Sequence, residues 1–334
     1  MSTIKTVAER AGVSLKTVSR VFSSPEAVAD KTRALVMAAA EDLQFVPDQR
    51  ARAIRSGKSG VVGLLTDVVA TTPCSIEIVR GVEAALEERR MSLLIGNLEN
   101  PLSTSKSIIR SFRAGRVDGV IYAANYHREV ADFEPLSLSG VMVNCFTRAG
   151  ELPAVIPDEE RGGYNVGVHL LSLGHRRIAY LTLAPDIPAT QLRQAGLVRA
   201  LKEAGVSVPD PLAWQGQPAA GAFDHDAAFR AAHALLKRKG RPTAIFCGND
   251  EMAMQVFNAA SQLGLSIPGD LSVVGFDDHR LFSEGLRPGL TTVALPYTEM
   301  GRQAVAILLD RRKEPPATYR VDAPLIVRQS TSAL

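Results

Sequence analysis

The sequence predicts a small, all-helical N-terminal head and, after a short linker, a larger α/β core built as two lobes. Apolar residues recur at helical spacing between residues 3 and 43, whereas from Val61 onward short apolar runs alternate with amphipathic segments of helical length. The length agrees with this division, because 334 residues exceed one typical core and 46% apolar residues are enough to fill two or three.

Two short amphipathic helices around a glycine form the predicted start of the head. One face of the first helix is apolar, with the spacing i, i+3, i+4, i+7: Ile4, Val7, Ala8 and Ala11. Thr3 is placed to cap this helix, and Gly12 permits the backbone conformation that ends it. Ser14 can then cap a second helix over residues 15–22.

The second helix has an apolar side and an outward-facing side. Its apolar residues are Val18, Val21 and Phe22. Its outward-facing residues are Leu15, Lys16, Thr17, Ser19 and Arg20. A third helix over residues 30–43 is predicted to cover the first two with Leu35, Val36, Ala39 and Leu43. Taken alone, the first two helices would also fit an ordinary helical hairpin with a solvated basic face.

The charge is unevenly distributed along the chain. Residues 1–58 contain ten Lys or Arg and six acidic residues, a net +4. The remainder carries 38−10 = 28 basic and 35−6 = 29 acidic residues, a net −1. A basic head on a nearly neutral body is the electrostatic pattern expected of a nucleic-acid-binding module.

The boundary between head and core is predicted at residues 47–60, PDQRARAIRSGKSG, which are rich in Arg, Ser and Gly. This composition is typical of a flexible linker. Gly57-Lys58-Ser59 resembles the end of a phosphate-binding loop, but Arg52 stands where that motif needs glycine. We therefore predict no nucleotide site here.

Seven short apolar runs predict the strands of the core: residues 61–67, 92–98, 118–124, 140–145, 176–183, 243–250 and 271–277. Segments of helical period separate them, and the later ones lie near residues 160–173, 190–204, 224–238 and 250–263. Two consecutive doubly wound halves of this kind predict two α/β lobes. In such folds ligands bind at the carboxyl ends of the parallel strands, so a cleft between the lobes is the expected ligand site.

Several classes of protein are not supported. No window approaches 18 uninterrupted apolar residues, and the start, MSTIKTVAER, lacks the apolar segment of a signal peptide, so we expect a cytoplasmic protein. Cys74, Cys145 and Cys247 are widely spaced and odd in number, which favours buried free thiols. No G-x-S-x-G or H-E-x-x-H motif occurs, and no G-x-G-x-x-G follows the first strand. We expect no enzyme activity, no cofactor and no metal.

The run TVAERAGVSLKTVSRVF, residues 6–22, resembles the N-terminal helix-turn-helix of lactose-repressor-like (LacI/GalR family) transcription regulators. The signature of that family is V-A-x-x-A-G-V-S-x-x-T-V-S-R-V. Later runs resemble its periplasmic-binding-protein-like core: SLGHRRIAYLT, RPTAIFCGNDEMA, SVVGFDD and LRPGLTTV. The resemblance thus covers nearly the full chain.

The resemblance implies a domain organisation. A DNA-binding domain is expected over residues 1–46, a hinge within residues 47–60, and an effector-binding and dimerisation core over residues 61–331. Lobe 1 is expected over about residues 61–158 and 290–318, and lobe 2 over about residues 159–289 and 319–331. The chain would return to lobe 1 near residues 290–293.

The resemblance also implies a function. We expect a sequence-specific transcriptional regulator, in this family usually a repressor, whose affinity for operator DNA is controlled by a small-molecule effector between the lobes. The expected partners are a roughly palindromic double-stranded operator, a carbohydrate-like effector and a second copy of the chain. A dimer is the default because no heptad repeat follows the last strand. The alternative is a sugar- or solute-binding module without a DNA role, although the basic head and the absence of a signal peptide argue against it.

Candidate DNA contacts lie on the second helix and in the linker. Residues predicted to reach base edges are Leu15, Lys16 and Arg20, with Arg20 suited to guanine and Leu15 to a thymine methyl group. Residues predicted to hold phosphates are Thr3, Ser14, Thr17, Ser19 and Ser23. The linker matches the family's hinge helix at Ala51, Arg52, Ile54 and Arg55. Ile54 stands where the family commonly has the Leu that enters the minor groove.

Candidate effector contacts combine the resemblance with position at strand ends or helix starts. The three main candidates are Arg193, Asn249 and Asp277, of which Arg193 can make a bidentate contact to a carboxylate or to paired hydroxyls. Each could instead be a helix cap or a salt bridge at the rim. Further candidates are Cys74, Ser75, Cys145, Phe146 and Asp158. Cys145 stands where the family often has Asp, and Cys74 and Ser75 where aromatics are frequent, so the ligand itself is not predicted.

Overall fold

The computed structural model describes residues 3–45, 58–67, 73–98, 105–130, 139–182, 187–207, 212–213, 225–310 and 316–334. The chain separates into two compact units, residues 1–60 and 61–334, which we call the head and the core. Among the helices of these ranges, none combines the length and the hydropathy needed to cross a membrane.

Three α-helices form the described part of the head: α1 (Ile4–Ala11), α2 (Leu15–Ser23) and α3 (Asp30–Asp42). Thr3 caps α1 in a reciprocal pair, since its hydroxyl accepts the Thr6 N–H and the Thr6 hydroxyl accepts the Thr3 N–H. Gly12 ends α1 in the left-handed conformation, with φ 65°. Ser14 caps α2 by accepting the Thr17 N–H at 3.1 Å. The caps and the turn are as the sequence predicts.

The head core consists of small apolar side chains from all three helices: Val7, Ala8, Val18, Val21, Val36, Ala39 and Ala40. Phe22 and Phe45 pack at its edge, with ring centroids 5.8 Å apart. The prediction that Leu35 belongs to the covering face of α3 is wrong, because its side chain is 52% exposed. The buried stripe follows Val36, and Leu35 lies about 100° around the helix from it.

The first sheet of the core contains β1 (Val61–Asp67), β2 (Ser92–Leu98), β3 (Val120–Glu129), β4 (Gly140–Phe146), β5 (Ala154–Pro157) and β11 (Thr318–Val321). The strands are parallel and lie in the order β11-β5-β4-β3-β1-β2. Its helices are α4 (Pro73–Glu87), α5 (Ser105–Ala114) and α11 (Tyr297–Asp310). This sheet and its helices form lobe 1.

The second sheet contains β6 (Ile178–Thr182), β7 (Leu212–Ala213), β8 (Ala244–Cys247), β9 (Ser272–Asp277), β10 (Thr291–Ala294) and β12 (Leu325–Ile326). The order is β12-β10-β9-β8-β6-β7, and β12 runs antiparallel to β10 while the other pairs are parallel. Its helices are α6 (Glu159–Ser172), α7 (Pro188–Glu203), α8 (His225–Leu236), α9 (Asp250–Gln262) and α10 (Arg280–Ser283). This sheet and its helices form lobe 2. The predicted pair of doubly wound α/β lobes is confirmed.

The chain passes between the lobes three times, and two of these crossings differ from the expectation. Residues 291–294 lie in lobe 2, since Thr291 in β10 pairs with Val274 in β9. Residues 318–321 lie in lobe 1, since Thr318 in β11 pairs with Ala154 in β5. The later crossings therefore follow Ala294 and Val321. The sequence could not show this, because a short apolar run does not reveal which strand it pairs with.

Candidate functional site

The outward face of α2 presents the residues predicted to read bases. Leu15 is 49% exposed, Lys16 and Arg20 are exposed, and the opposite side of the helix is buried through Val18 and Val21. A large apolar side chain held outward on the same helix as two cations suits a groove that offers both methyl groups and acceptors.

Most of the residues predicted to hold phosphates lie at the helix starts or at the end of α2, whereas Ser19 lies in the middle of α2. The Ser14 and Thr17 hydroxyls are 2.9 Å apart and already take part in the cap of α2, as Thr3 does in the cap of α1. Ser19 is half-buried and Ser23 is exposed. The positions 51, 52, 54 and 55 of the predicted hinge lie outside the described residues.

In the core, the second candidate site is built where α6 and α7 touch. A Cβ atom at Gly163 would lie 2.1 Å from the Arg193 backbone oxygen, and one at Gly196 would lie 2.0 Å from the Glu160 backbone oxygen. Only glycine permits so close an approach of two helix backbones. The contact brings Glu159, the first residue of α6, against Arg193 near the start of α7.

Arg193 is the centre of this site and is only 3% exposed. Its Nε and Nη2 donate to the two carboxylate oxygens of Glu159 at 2.6 and 3.0 Å, and its Nη1 donates to the Gly248 carbonyl oxygen. Its Nη2 also lies 3.8 Å from Asp277 Oδ1. Burial acts to lower the pKa of Arg193, but the Glu159 carboxylate outweighs it, so the pKa is raised and the guanidinium stays charged.

Aromatic rings form one side of the same site. The guanidinium carbon of Arg193 lies 3.7 Å from the centroid of the Phe276 ring, a cation–π contact. Behind Phe276 is Phe246, which stacks on Tyr180 at 4.8 Å. Burial raises the pKa of Tyr180, so its hydroxyl remains protonated. The arginine is thus desolvated on one side by rings and neutralised on the other by carboxylates.

Among the carboxylates of the site, Asp277 is the most exposed to solvent, with 28% of its side chain exposed. It ends β9 with φ 118°, a conformation that aspartate seldom adopts. Burial raises the pKa of Asp277 to about 7, although the Arg193 charge acts in the opposite direction.

Asp250 holds the strand ends together beside Asp277. Its Oδ1 accepts the Thr292 hydroxyl at 2.6 Å and its Oδ2 accepts the His279 N–H at 2.7 Å. Gly275 makes room for this carboxylate, because a Cβ atom there would lie 2.2 Å from Asp250 Oδ1. Asp250 therefore fixes the segment from which Asp277 projects.

Lobe 1 contributes His127 at the end of β3. Its Nδ1 lies 4.0 Å from Glu159 Oε1 in lobe 2, and its ring meets the Phe146 ring edge-on at 5.6 Å. Neither ring nitrogen has a hydrogen-bond partner among the described residues. Burial lowers the pKa of His127 to about 4, and the charges of Arg193 and Arg320 act in the same direction. The imidazole is therefore neutral at ordinary pH, with one donor and one acceptor.

The structure places the remaining predicted effector residues in different settings. Asn249 is 4% exposed and caps α9, since its Oδ1 accepts the Met252 N–H at 2.8 Å. Asp158 caps α6 by accepting the Arg161 N–H, and Phe146 is half-buried beside His127. Cys145 is a correction: it is fully buried in the core of lobe 1, where its thiol donates to the Tyr122 carbonyl oxygen. The side chains at positions 74 and 75 lie outside the described residues.

Sequence reasoning missed Glu159 and His127. Glu159 stands in the run DEE directly after the buried strand β5 of lobe 1, and a carboxylate where the chain leaves that strand for α6 would have been a usable signal. His127 offered no signal, because it lies beyond the apolar part of β3 in the sequence AANYHRE.

The opposite pKa shifts of Asp277 and His127 predict opposite effects on stability. Asp277 binds its proton more tightly in the folded state, so between about pH 3.8 and 7 it makes stability fall as pH rises. His127 binds its proton less tightly in the folded state, so between about pH 4 and 6.5 it makes stability rise with pH. Relative to the natural chain, Asp277→Asn should gain about 1.4 kcal/mol of stability per pH unit in its window.

The matched variant His127→Gln should show the reverse, a relative loss of about 1.4 kcal/mol per pH unit as pH rises through its window. Urea denaturation of the natural chain and both variants across this range measures both slopes. Parallel curves for all three proteins would mean that neither group titrates as the burial in this site requires.

Two family models match the chain. The model described as "Bacterial regulatory proteins, lacI family" matches residues 3–48, which lie within the head and include its three α-helices. The model described as "Periplasmic binding protein-like domain" matches residues 168–331, which contain most of lobe 2 and the later part of lobe 1.

Similar proteins extend the match over the whole chain. The HTH-type transcriptional repressor PurR of Yersinia enterocolitica is 33% identical over 341 residues, covering 99% of this chain and 97% of that protein. The crystal structure of the lac repressor dimer bound to operator and the anti-inducer ONPF has a TM-score of 0.79 at 26% identity and covers 99% of both chains. A LacI family transcriptional regulator from Enterococcus faecium with bound ribose has a TM-score of 0.67 at 27% identity, covering 82% of this chain and 99% of that one.

The relatives are named as repressors or transcriptional regulators. Head and core each match a model, and a repressor is 33% identical over 99% of the chain. This protein belongs to the lacI family of bacterial regulatory proteins and is a DNA-binding transcriptional regulator with an effector-binding core.

Proposed function

We propose that this chain is a transcriptional repressor that acts as a homodimer and whose affinity for operator DNA is set by a small molecule bound between lobes 1 and 2. The observation that carries the proposal is the outward face of α2, where Leu15, Lys16 and Arg20 are exposed on a helix with a capped start and a buried opposite side. This is the arrangement of a recognition helix in the major groove.

The residues of the head divide into two roles. Arg20 recognises guanine with its fork of donors, Leu15 contacts a thymine methyl group and Lys16 a neighbouring acceptor. Phosphates are held by hydroxyl side chains on and beside α1 and α2: Thr3, Ser14, Thr17, Ser19 and Ser23. A two-fold dimer then reads a roughly palindromic site with half-sites about one helical turn apart.

The linker completes the DNA contact in this proposal. Ile54 and its copy in the second subunit enter the minor groove at the centre of the operator, flanked by Ala51, Arg52 and Arg55. The resemblance of the linker to the family's hinge helix supports this role.

The effector site lies around Arg193 and Asp277, with His127 facing it from lobe 1. A ligand there touches both lobes, so binding changes the angle between them and with it the spacing of the two heads. Coupling free energies of about 1–3 kcal/mol are typical, enough to change occupancy of DNA by about 5- to 150-fold. The Enterococcus faecium relative with bound ribose supports a carbohydrate-like effector.

We propose no catalytic activity and no cofactor for this site, since it has the polar groups of a binding site and the relatives are named as regulators. The rival function is a solute-binding module without a DNA role, which the core alone would support. The basic head favours the repressor, and a protein that works on the chromosome is placed in the cytoplasm.

A two-part experiment tests the proposal. DNA that the full chain selects from a random-sequence pool is used in gel shifts, and sugars, polyols and nucleobases are then screened for compounds that raise the melting temperature, since a ligand of the native state stabilises it. A stabilising compound should also change the affinity for the selected DNA. A chain that enriches no sequence, or whose ligands leave its DNA affinity unchanged, would support the rival function.

Arg20→Ala is expected to weaken binding to the selected DNA by about 1–3 kcal/mol and to relax the preference at the base pair that Arg20 contacts. Fluorescence anisotropy on DNA variants at that base pair measures both effects. Arg10→Ala is the matched control, because the Arg10 guanidinium is exposed but pairs with Asp42 at 2.9 Å within the head. Equal base preference in the natural chain and in Arg20→Ala would remove Arg20 from base recognition.

A further inference from the structure

An arginine in a ligand site ordinarily attracts anions, because its planar fork of donors fits carboxylates and phosphates. In this chain the fork is already occupied. Glu159 accepts from Nε and Nη2 of Arg193 at 2.6 and 3.0 Å, in the bidentate geometry that an acidic ligand would otherwise take. The Gly248 carbonyl oxygen accepts from Nη1.

The charges near Arg193 also disfavour an anion. Glu159 is 1% exposed, and the half-buried carboxylate of Asp277 lies 3.8 Å from the guanidinium. One positive charge thus faces two carboxylates. A ligand that carries its own carboxylate or phosphate would have to displace Glu159 or lie beside like charges, and like-charge contacts across an interface are strongly unfavourable.

The polar groups that remain suit an uncharged ligand. The Asp277 carboxylate accepts hydrogen bonds from hydroxyl or amide groups. His127 is 2% exposed, and both its ring nitrogens lack a partner among the described residues, so it offers one donor and one acceptor. Hydroxyl and amide groups both donate and accept, which matches this set.

We infer that Glu159 is a specificity-determining residue that occupies Arg193, restricts the effector to uncharged hydroxyl- or amide-bearing compounds, and excludes carboxylates and phosphates. The inference rests on the proposed function, because it concerns the same cleft. It assigns to Glu159 a positioning and exclusion role rather than a ligand contact.

The first experiment compares neutral compounds with their acidic counterparts on the full natural chain. Ribose is paired with ribose 5-phosphate, and galactose with galacturonate, and binding is followed by calorimetry at constant ionic strength. Within each pair the acid is expected to bind at least about 10-fold more weakly. An acid that binds more tightly than its neutral partner overturns the inference.

The second experiment uses inorganic phosphate as the probe and needs no identified ligand. Glu159→Gln keeps the shape of the side chain but removes the carboxylate that fills the Arg193 fork and leaves only Asp277, 3.8 Å away, so the variant should bind phosphate at least about 10-fold more tightly than the natural chain. Thermal shift against sodium chloride of equal ionic strength measures this. Glu160→Gln is the matched control, since Glu160 is the next residue of α6 but pairs with the half-exposed Arg199.

The inference is overturned if the Glu159→Gln variant folds but gains no phosphate binding. It is also overturned if phosphate raises the melting temperature of the natural chain more than sodium chloride of equal ionic strength does. If Glu159→Gln does not fold, two other results test the inference. They are the response of the natural chain to phosphate and the relative affinities of the neutral and acidic compounds in each pair. A measurement of DNA binding distinguishes failure of this inference from failure of the proposed function. A neutral ligand that binds without changing the affinity for DNA removes the proposed control of repression but leaves the exclusion of anions intact.

Discussion

Replacing Glu159 with leucine is expected to lower the free energy of unfolding by about 3–5 kcal/mol, the usual cost of breaking a buried ion pair on one side. The change would leave Arg193, which is 3% exposed, with the Gly248 carbonyl oxygen and with Asp277 at 3.8 Å. The charge cannot reach water, because Phe276 covers one side and the α6–α7 contact closes another. Urea denaturation of the full chain measures the loss.

Two variants give this prediction its controls. Glu160→Leu removes the neighbouring carboxylate of α6, whose pair with Arg199 has side-chain exposures of 39% and 46%, so the expected loss is below about 1 kcal/mol. Glu159→Leu combined with Arg193→Met removes both buried charges and should recover most of the stability, as apolar replacements of buried pairs often do. Equal losses for the Glu159 and Glu160 variants would show that the Arg193 charge finds another partner.

The head was almost fully predictable because its signals are local. Caps at Thr3 and Ser14 and the left-handed Gly12 act within a few residues, and the buried stripes of α1 and α2 follow from spacing alone. Leu35 was assigned to the wrong face because it lies next to the buried stripe of α3. The spacing of apolar residues alone does not show whether such a neighbour is buried or exposed.

The core was predictable in its class but not in the partners of its edge strands. The alternation of apolar runs and helical segments gave two doubly wound lobes. The assignment of β10 to lobe 2 and β11 to lobe 1 depends on long-range pairing, Thr291 with Val274 and Thr318 with Ala154. No property of either run distinguishes these pairings from the alternatives.

The candidate site was predicted only in part, because the burial of its ion pair also depends on a long-range contact. Arg193 lay in a family motif and Asp277 at a strand end, whereas the position of Glu159 just after β5 also fits an ordinary solvated helix start. An acidic residue in the first turn of a helix is ordinarily a favourable neighbour of the helix dipole and faces water. Glu159 is buried instead because Gly163 and Gly196 let α6 and α7 touch, and that contact is a property of the folded chain.

The affinity for the selected operator DNA is expected to fall about 10³-fold or more between about 50 and 200 mM salt. Besides Arg10, which pairs with Asp42, helices α1 and α2 carry three exposed cations, Lys5, Lys16 and Arg20, and a dimer doubles them to six. A cation held in the groove displaces condensed counterions whether it contacts a base edge or a phosphate, so six such cations predict a slope of log affinity against log salt of about −5. Linker arginines that also reach phosphates would make the slope steeper.

Lys16→Gln removes two of these charges from the DNA interface of the dimer and should make the slope shallower by about 2. Lys237→Gln is the control, since it removes an equally exposed charge at the end of α8 in the core and should leave the slope unchanged. Fluorescence anisotropy over a salt series measures all three slopes. A flat salt response in the natural chain would contradict a phosphate-contacting head, and equal changes in the two variants would mean that overall charge, and not the position of Lys16 on α2, sets the affinity.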